Sequence, residues 1–403
     1  MPDPALVPAR EAAARLGVKR ATLYAYVSRG LLTRHVLPGR RGSWFDPVQL
    51  DRLSTRAREP QERRPDLRIT SAVTLIERGR YWYRGQSPDT LAAARSYEAV
   101  AEFLWTGLDD QEPPVWQAVD RAVEQARLAG AVLPASAAPT DRLRVITSVL
   151  GAFDPLRLDL RPAGALATAR RLVASVVAVL ARRRGGSVAA QVASWIGVPR
   201  GRSDAVAAVD DVLILLADHE LAASTLAVRV ASSFGAEPYA AVGAGLGAMS
   251  GTRHGAASRR VEQAFTAIAR GTPPADAVGP LFLDPAAVPG FGHPLYPDGD
   301  PRVPSILALA ERVGDTRPVE PMLDTMRLQG VTGPNTDFAL AAFTSALGLT
   351  PGAGEALFTV ARLAGWLAHA QEEYAVRSDF RMRAVYTGPR PDAATAPPYQ
   401  PMT

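Results

Sequence analysis

The sequence predicts a mostly α-helical protein with a small basic module at its start. Three observations carry this. From residue 68 onward, long Ala-, Leu- and Val-rich stretches repeat their apolar residues at the 3.6-residue helical spacing, punctuated by Gly and Pro, with few strand-like runs. Residues 1–64 hold thirteen basic and six acidic side chains, a net of +7, whereas the whole chain carries +5. Charge so unevenly spread points to a basic module on a near-neutral body. At 403 residues, 47% hydrophobic and 21% charged, the chain is long enough for a large core and more than one domain.

In chain order, residues 9–16 are an Ala-rich helix, with Pro8 suited to its first position and Gly17 to its C-terminal stop. A second helix covers 20–29 and ends at Gly30. Residues 35–45 have strand-like ends around Pro38-Gly39-Arg40-Arg41-Gly42, a hairpin wing, and residues 45–53 begin a third helix. Helix, turn, helix and wing make residues 1–55 a winged helix-turn-helix similar in order to MerR and excisionase-like proteins. In such a module Lys19, Arg20, Thr22 and Tyr26 would meet DNA from the second helix, and Arg40 and Arg41 from the wing. Docking of a protein partner is the other use of the same surface. A polar, charged linker at 56–67 separates the module from the rest. Next, residues 69–76 read as a strand pairing with Tyr81-Trp82-Tyr83, and a Pro/Ala-rich tail occupies 389–403.

Several classes are excluded or disfavoured. With no cysteine, the chain has no disulfide, thiolate nucleophile or Cys-type zinc site. The start, MPDPALVPAR, has an acid and three prolines where a signal peptide needs basic and apolar residues, and the apolar run at 172–181 is half the length of a membrane span. A cytoplasmic protein that does not enter membranes is expected. Lys19 is the only lysine, so arginine clusters carry less meaning here than usual.

The chemistry concentrates around three of the five histidines. His219 lies in ADHELAAST (217–225), read as part of a long apolar helix over 212–234. A histidine there is ordinarily a satisfied core residue. His254 lies in SGTRHGAAS (250–258), where glycines let a ligand approach the backbone. His293 lies in PGFGHPLYPDGDPR (289–302), an ordered Gly/Pro loop that ends in Arg302. Asp337 in PNTDF (334–338) reads, alone, as a helix N-cap. Arg362 stands among apolar neighbours in LFTVARLAGWLAH (357–369), where a guanidinium is costly unless an anion meets it. His369 in the same run is taken as structural.

Together with YWYRGQSPDTLAAARSYEAVAEFLWTG (81–107) and RMRAVYTG (381–388), these motifs resemble the citrate synthase family over residues 68–388. The resemblance implies a homodimer with a large helical domain (68–255 and 351–388) and a small one (256–350), holding substrates in the cleft between them. It implies a transferase of the tricarboxylic acid cycle type, joining acetyl-CoA to oxaloacetate and hydrolysing the thioester, with no metal or other cofactor. It implies that Asp337 takes the proton, His254 donates to the enol oxygen and His293 polarises the ketone. His219, Arg302, Arg362 and the terminal Arg381, reaching the partner subunit, would clamp the dicarboxylate. Departures at Ala222, Ala256, Ser258, Pro294, Pro297 and Met382 leave acetyl-CoA and propionyl-CoA both open as acyl donors. The competing class is a DNA-binding transcription regulator whose synthase-like body senses a metabolite without turnover.

Overall fold

The structure, a computed structural model, describes residues 6–28, 32–35, 42–50, 69–109, 112–181, 185–251, 255–283, 288–297, 299–331, 333–376, 380 and 388. The chain divides into two compact units, Met1–Thr70 and Ser71–Thr403. The linker at 56–67 and the tail beyond 388 lie outside the described residues.

In the first unit, strand β1 (Val7–Pro8) runs antiparallel to β2 (Trp44–Phe45), and Trp44 also bridges His35. Helix α1 (Ala9–Leu16) is capped by Gly17, whose φ of 65° is the left-handed conformation glycine adopts without steric cost. Pro8 is the N-cap residue, one place earlier than expected. Helix α2 (Arg20–Ser28) follows, and residues 47–50 form a further helical turn whose start is capped by Asp46 Oδ1 accepting from Val48 N. Ala12, Ala13, Leu23, Leu32, Phe45 and Leu50 close into a small apolar cluster.

The second unit opens with a hairpin, β3 (Thr74–Glu77) and β4 (Arg80–Tyr83). Arg78 and Gly79 have φ of 50° and 73°, the pair of positive values that a two-residue primed turn requires. The strand begins five residues later than the sequence suggests. The amides ahead of it are taken by side chains, Ala72 N by Glu372 and Val73 N by Ser71, and cannot join a ladder.

Helices then follow without further strands among the described residues: α3 (Pro88–Ala94), α4 (Tyr97–Thr106), α5 (Asp120–Ala131), α6 (Pro139–Ala152), α7 (Pro162–Leu180), α8 (Val188–Ile196), α9 (Ser203–Leu215), α10 (Ala223–Ser233), α11 (Pro238–Met249), α12 (Gly255–Ala269), α13 (Pro274–Val278), a 3₁₀ turn, α14 (Val303–Val313), α15 (Val319–Leu328), α16 (Thr336–Ala346) and α17 (Ala353–Val376). Helix α17 is the axis of the main core. Eighteen of its 24 residues are buried, Glu355, Arg362, His369 and Glu373 among them, so these polar side chains have no face that turns to water. Helix α7 corrects the ten-residue apolar run: over 19 residues it is long and apolar enough to cross a membrane by length and composition. It is instead a core helix, with Leu172, Val173, Val176 and Val177 buried in the same cluster as α17. A second cluster gathers Val261, Phe265, Met322, Met326 and Phe338 from α12, α15 and α16, and Leu307 of α14 packs on both clusters.

Candidate active site

His219 is not in a helix. Helix α9 ends at Leu215 and α10 begins at Ala223, so His219 lies in the break between them. The hairpin explains where α9 stops. The Tyr81 and Tyr83 hydroxyls both donate to the Leu215 carbonyl, and Tyr83 is bonded to both the N–H and the carbonyl of Asp218. Helix-end carbonyls need such partners when buried. Glu220 completes the break in the left-handed conformation, φ 54°, its N–H held by Asp218 Oδ2 at 3.1 Å.

The His293 loop is tied along its length to the turn that starts α16. Phe291 bridges Pro334, Gly292 N donates to Gly333 O at 2.7 Å, and Asn335 N to Gly290 O at 2.9 Å. Gly290 sits at φ 84°, and a Cβ there would come within 2.9 Å of Val261. Further along, Thr336 Oγ1 donates to Asp300 Oδ2 at 2.8 Å. Two segments distant in sequence are thereby fastened, one carrying His293 and Arg302, the other Asp337.

Asp337 is not the cap of α16. Asn335 caps it, its Oδ1 accepting from Asp337 N and Phe338 N, which leaves the Asp337 carboxylate free of that duty. No hydrogen bond reaches that carboxylate among the described residues. Burial pushes its pKa up to about 7, with Asp300 and Glu262 adding to the effect and Arg302 opposing it. The ordinary carboxylate value near 3.9 therefore does not apply.

His293 Nδ1 accepts from Leu295 N at 3.2 Å. Its ring proton in the neutral form is therefore on Nε2, available to donate. Burial and the charge of Arg302 hold His293 below the usual histidine pKa, partly countered by Asp300. His219 is more strongly affected: burial, Arg302, Arg362 and His293 together hold it well below that value. Both rings are neutral near pH 7. His219 lies 5.4 Å from the His293 ring, and its Nε2 is 2.8 Å from the Tyr296 hydroxyl.

Arg302 is buried and already paired, Nε and Nη2 meeting the two oxygens of Asp300 at 2.9 and 2.6 Å. Burial would raise Asp300, but Arg302 and the hydrogen bonds around it hold it down to about 2. Among the described residues, no hydrogen bond engages Arg302 Nη1. Arg362 differs. It is buried on α17, its Nε and Nη1 have no hydrogen-bond partner among the described residues, and its guanidinium lies 4.8 Å over the Phe358 ring.

The structure thus brings His219, His293, Arg302, Asp337 and Arg362 into one electrostatically coupled group, with Arg302 acting on the other four. His254 and Arg381 lie outside the described residues. In the first unit, Lys19 and Arg20 are exposed and Thr22 is half-buried, while Arg40 and Arg41 lie outside the described residues. Tyr26 packs on its own unit's apolar cluster rather than standing on the surface; Tyr24 is the exposed tyrosine, bonded to Ser43. Sequence reading gave no role to Tyr296, Asp300 or Asp218. Their proximity in sequence to His293, Arg302 and His219 was the available signal. No group of three or more His, Asp or Glu suited to a metal ion occurs among the described residues.

A family model described as citrate synthase, C-terminal domain, matches residues 67–383. The 2-methylcitrate synthase of Mycobacterium tuberculosis is 31% identical over 332 residues, 76% of this chain and 84% of that protein. The citrate synthase of Mycolicibacterium smegmatis is 30% identical over 350 residues, 79% of this chain and 92% of that one. Among solved structures, the complex of Thermoplasma acidophilum citrate synthase with carboxymethyl coenzyme A and oxaloacetate is similar in fold, with a TM-score of 0.64 at 22% identity over 81% of this chain and 95% of the other. The Thermotoga maritima citrate synthase gives 0.63 at 22% identity, over 82% and 96%. On the family match and the relatives together, the chain belongs to the citrate synthase family and is a transferase of its condensing type.

Proposed function

We propose that the protein joins acetyl-CoA to oxaloacetate and hydrolyses the thioester to citrate and CoA; propionyl-CoA, giving 2-methylcitrate, is the alternative acyl donor. The observation that carries this reading is Arg362, a buried guanidinium whose Nε and Nη1 meet no partner among the described residues and whose charge acts on His219, His293 and Arg302. Asp218 offsets part of the cost of burying this cation, but its N–H groups stay unsatisfied until an anion meets them. A dicarboxylate fits, one end on Arg362, the other on Nη1 of Arg302, with His219 donating to it. In this scheme the ketone oxygen faces His293 Nε2–H.

Asp337 then removes a proton from the acyl carbon, and His254 donates to the enol oxygen as it forms. The enol carbon attacks the ketone, whose oxygen takes the proton from His293, and water cleaves the resulting thioester. A carboxylate raised to about 7 is a far better base than an ordinary one, and positioned donors lower the barrier further. The scheme uses no metal or redox cofactor. Arg381 completes the dicarboxylate clamp from the partner of a homodimer; for a small domain near 256–350 the support is the second apolar cluster, although Val303, Ile306, Leu309 and Phe343 of that range pack in the main core.

The test is oxaloacetate-dependent release of CoA thiol, measured with acetyl-, propionyl- and butyryl-CoA. Thiol release with acetyl- or propionyl-CoA identifies the donor by its kcat/KM. Oxaloacetate binding with no turnover of any donor would replace the enzyme by a metabolite-sensing regulator.

For the first unit we propose a winged helix-turn-helix that contacts duplex DNA in a cytoplasmic protein. What supports it is a pair of helices joined through Gly17, with Lys19 and Arg20 exposed at the start of the second, in a segment of net charge +7. Binding should weaken steeply with added salt as phosphate counterions are released. A chain lacking residues 1–64 that binds DNA as well as the full chain would overturn this.

A further inference from the structure

We propose that Asp218 is the positioning residue of the site: a fully buried carboxylate that fixes the break bearing His219 and, through His369 and Gly365, holds α17 so that Arg362 faces the substrate unpaired. The proposal rests on reading Arg362 and His219 as the oxaloacetate clamp.

Asp218 has no exposure to solvent. Its Oδ2 accepts from Thr74 Oγ1 at 2.5 Å, from Glu220 N at 3.1 Å and from His369 Nε2 at 3.3 Å. One oxygen thus joins the β-hairpin, the left-handed residue that shapes the break, and the central helix. The other oxygen, Oδ1, is buried with no hydrogen-bond partner among the described residues. It lies flush against Gly365, where a Cβ would collide with it and would stand 2.5 Å from Ala217 O. Gly365 N in turn donates to Ala217 O at 3.0 Å, so the break is stitched to α17 by backbone as well as side chain.

Arg362 and Gly365 are three residues apart on one helix, hence on one face. An orphan carboxylate oxygen and an orphan guanidinium therefore occupy neighbouring positions without forming an ion pair. Had they paired, fewer of the Arg362 N–H groups would remain for a ligand. Apart, each charge still steadies the other: Asp218 acts to keep Arg362 protonated, and Arg362 acts to keep Asp218 ionised. Burial alone would raise the Asp218 carboxyl, yet it lies below its usual value because His369, Arg362 and Thr74 outweigh that effect.

His369 has a defined orientation in this arrangement. Its Nδ1 faces Arg229 Nη1 at 3.0 Å, and a guanidinium only donates, so Nδ1 accepts and the Nε2–H points at Asp218. Arg229 is anchored by Glu373 and Glu372, and Glu372 also accepts from Ala72 N, two residues before Thr74. A closed ring of polar contacts thus runs through Asp218, Thr74, Glu372, Arg229 and His369 and joins the β-hairpin to α17.

Steady-state kinetics of the full-length protein test the assignment. Wild-type thiol release tests the parent reading, and without it the proposal has no basis. Given that activity, Asp218→Asn should raise the oxaloacetate KM by tenfold or more while the acyl-CoA KM changes less than threefold. A purely structural role would lower the active fraction, cutting kcat and leaving both KM values alone. His369→Ala should show the same split to a smaller extent, and His369→Gln, which places an amide N–H where Nε2–H points, should restore the oxaloacetate KM to within threefold of wild type. If Asp218→Asn does not fold, as judged by thermal melting, Thr74→Val removes one donor from the same oxygen and should raise the oxaloacetate KM selectively by about threefold. An unchanged oxaloacetate KM in folded Asp218→Asn, or in both Thr74→Val and His369→Ala should it not fold, overturns the proposal.

Discussion

Asp337 joins two properties that pull against each other. An ionised carboxylate with no hydrogen bond from the described residues is a strained group, and its pKa of about 7 measures that strain. The folded protein binds the proton more tightly than an unfolded chain, whose Asp would titrate near 3.9. Folding stability is therefore untouched by this group below about pH 4, declines as pH rises towards 7, and bears the full penalty above it. Asp337→Asn removes the penalty along with the base. Thermal melts should show the variant more stable than wild type by a few degrees at pH 8, with the two converging near pH 4. Turnover should fall by about 10² to 10⁴, the usual scale for a positioned acid or base. Wild-type kcat/KM should lose activity as pH drops through 7, because protonated Asp337 cannot accept a proton. Equal stabilities at pH 8, or turnover within tenfold of wild type, would reduce Asp337 to an ordinary helix residue.

At the level of elements, the informative boundary is the break at residues 216–222. Helix starts and stops governed by local chemistry were legible: α1 spans the expected residues, with Gly17 ending it, and the Arg362 helix is buried as its apolar neighbours implied. The break was not, because its causes lie elsewhere in the chain. Leu215, Leu216 and Ala217 are all buried, so the helical apolar pattern runs through the interruption without a glycine or proline to mark it. What ends α9 is the pair of tyrosines on β4, and what makes room for the break is Gly365 on α17. The histidines were legible as candidates from their motifs; their neutral state and the His293 proton position required the fold. Gly365→Ala tests the element-level account. Alanine is the better helix former by roughly 1 kcal/mol, yet its methyl group would strike Asp218 and Ala217. Overpacking of this kind costs about 1–3 kcal/mol. The variant should melt at a lower temperature and lose oxaloacetate affinity by about tenfold to a hundredfold, since small misplacements of binding groups are amplified in the rate. A rise in melting temperature with unchanged kinetics would show that the break does not depend on close approach at this glycine.

For the molecule as a whole, the proposed clamp is incomplete within the described residues of one chain. Arg362 and Arg302 supply two cations, one of them already engaged by Asp300. A dicarboxylate with a reacting ketone between its ends is better held by a third, and Arg381 from the partner subunit is the proposed source. If each site takes its terminal arginine from the other chain, activity requires association, and two inactive variants can rescue each other. Mixing Asp337→Asn with Arg381→Ala and allowing subunits to exchange yields a heterodimer in which one site carries both defects and the other carries neither. That heterodimer should show about half of the wild-type activity, because one of its two sites is intact. Differential tags on the two variants would allow the mixed species to be purified and assayed alone. A purified heterodimer as inactive as its parents would place Arg381 in its own subunit's site, or in none, and the third cation would have to come from elsewhere in the chain.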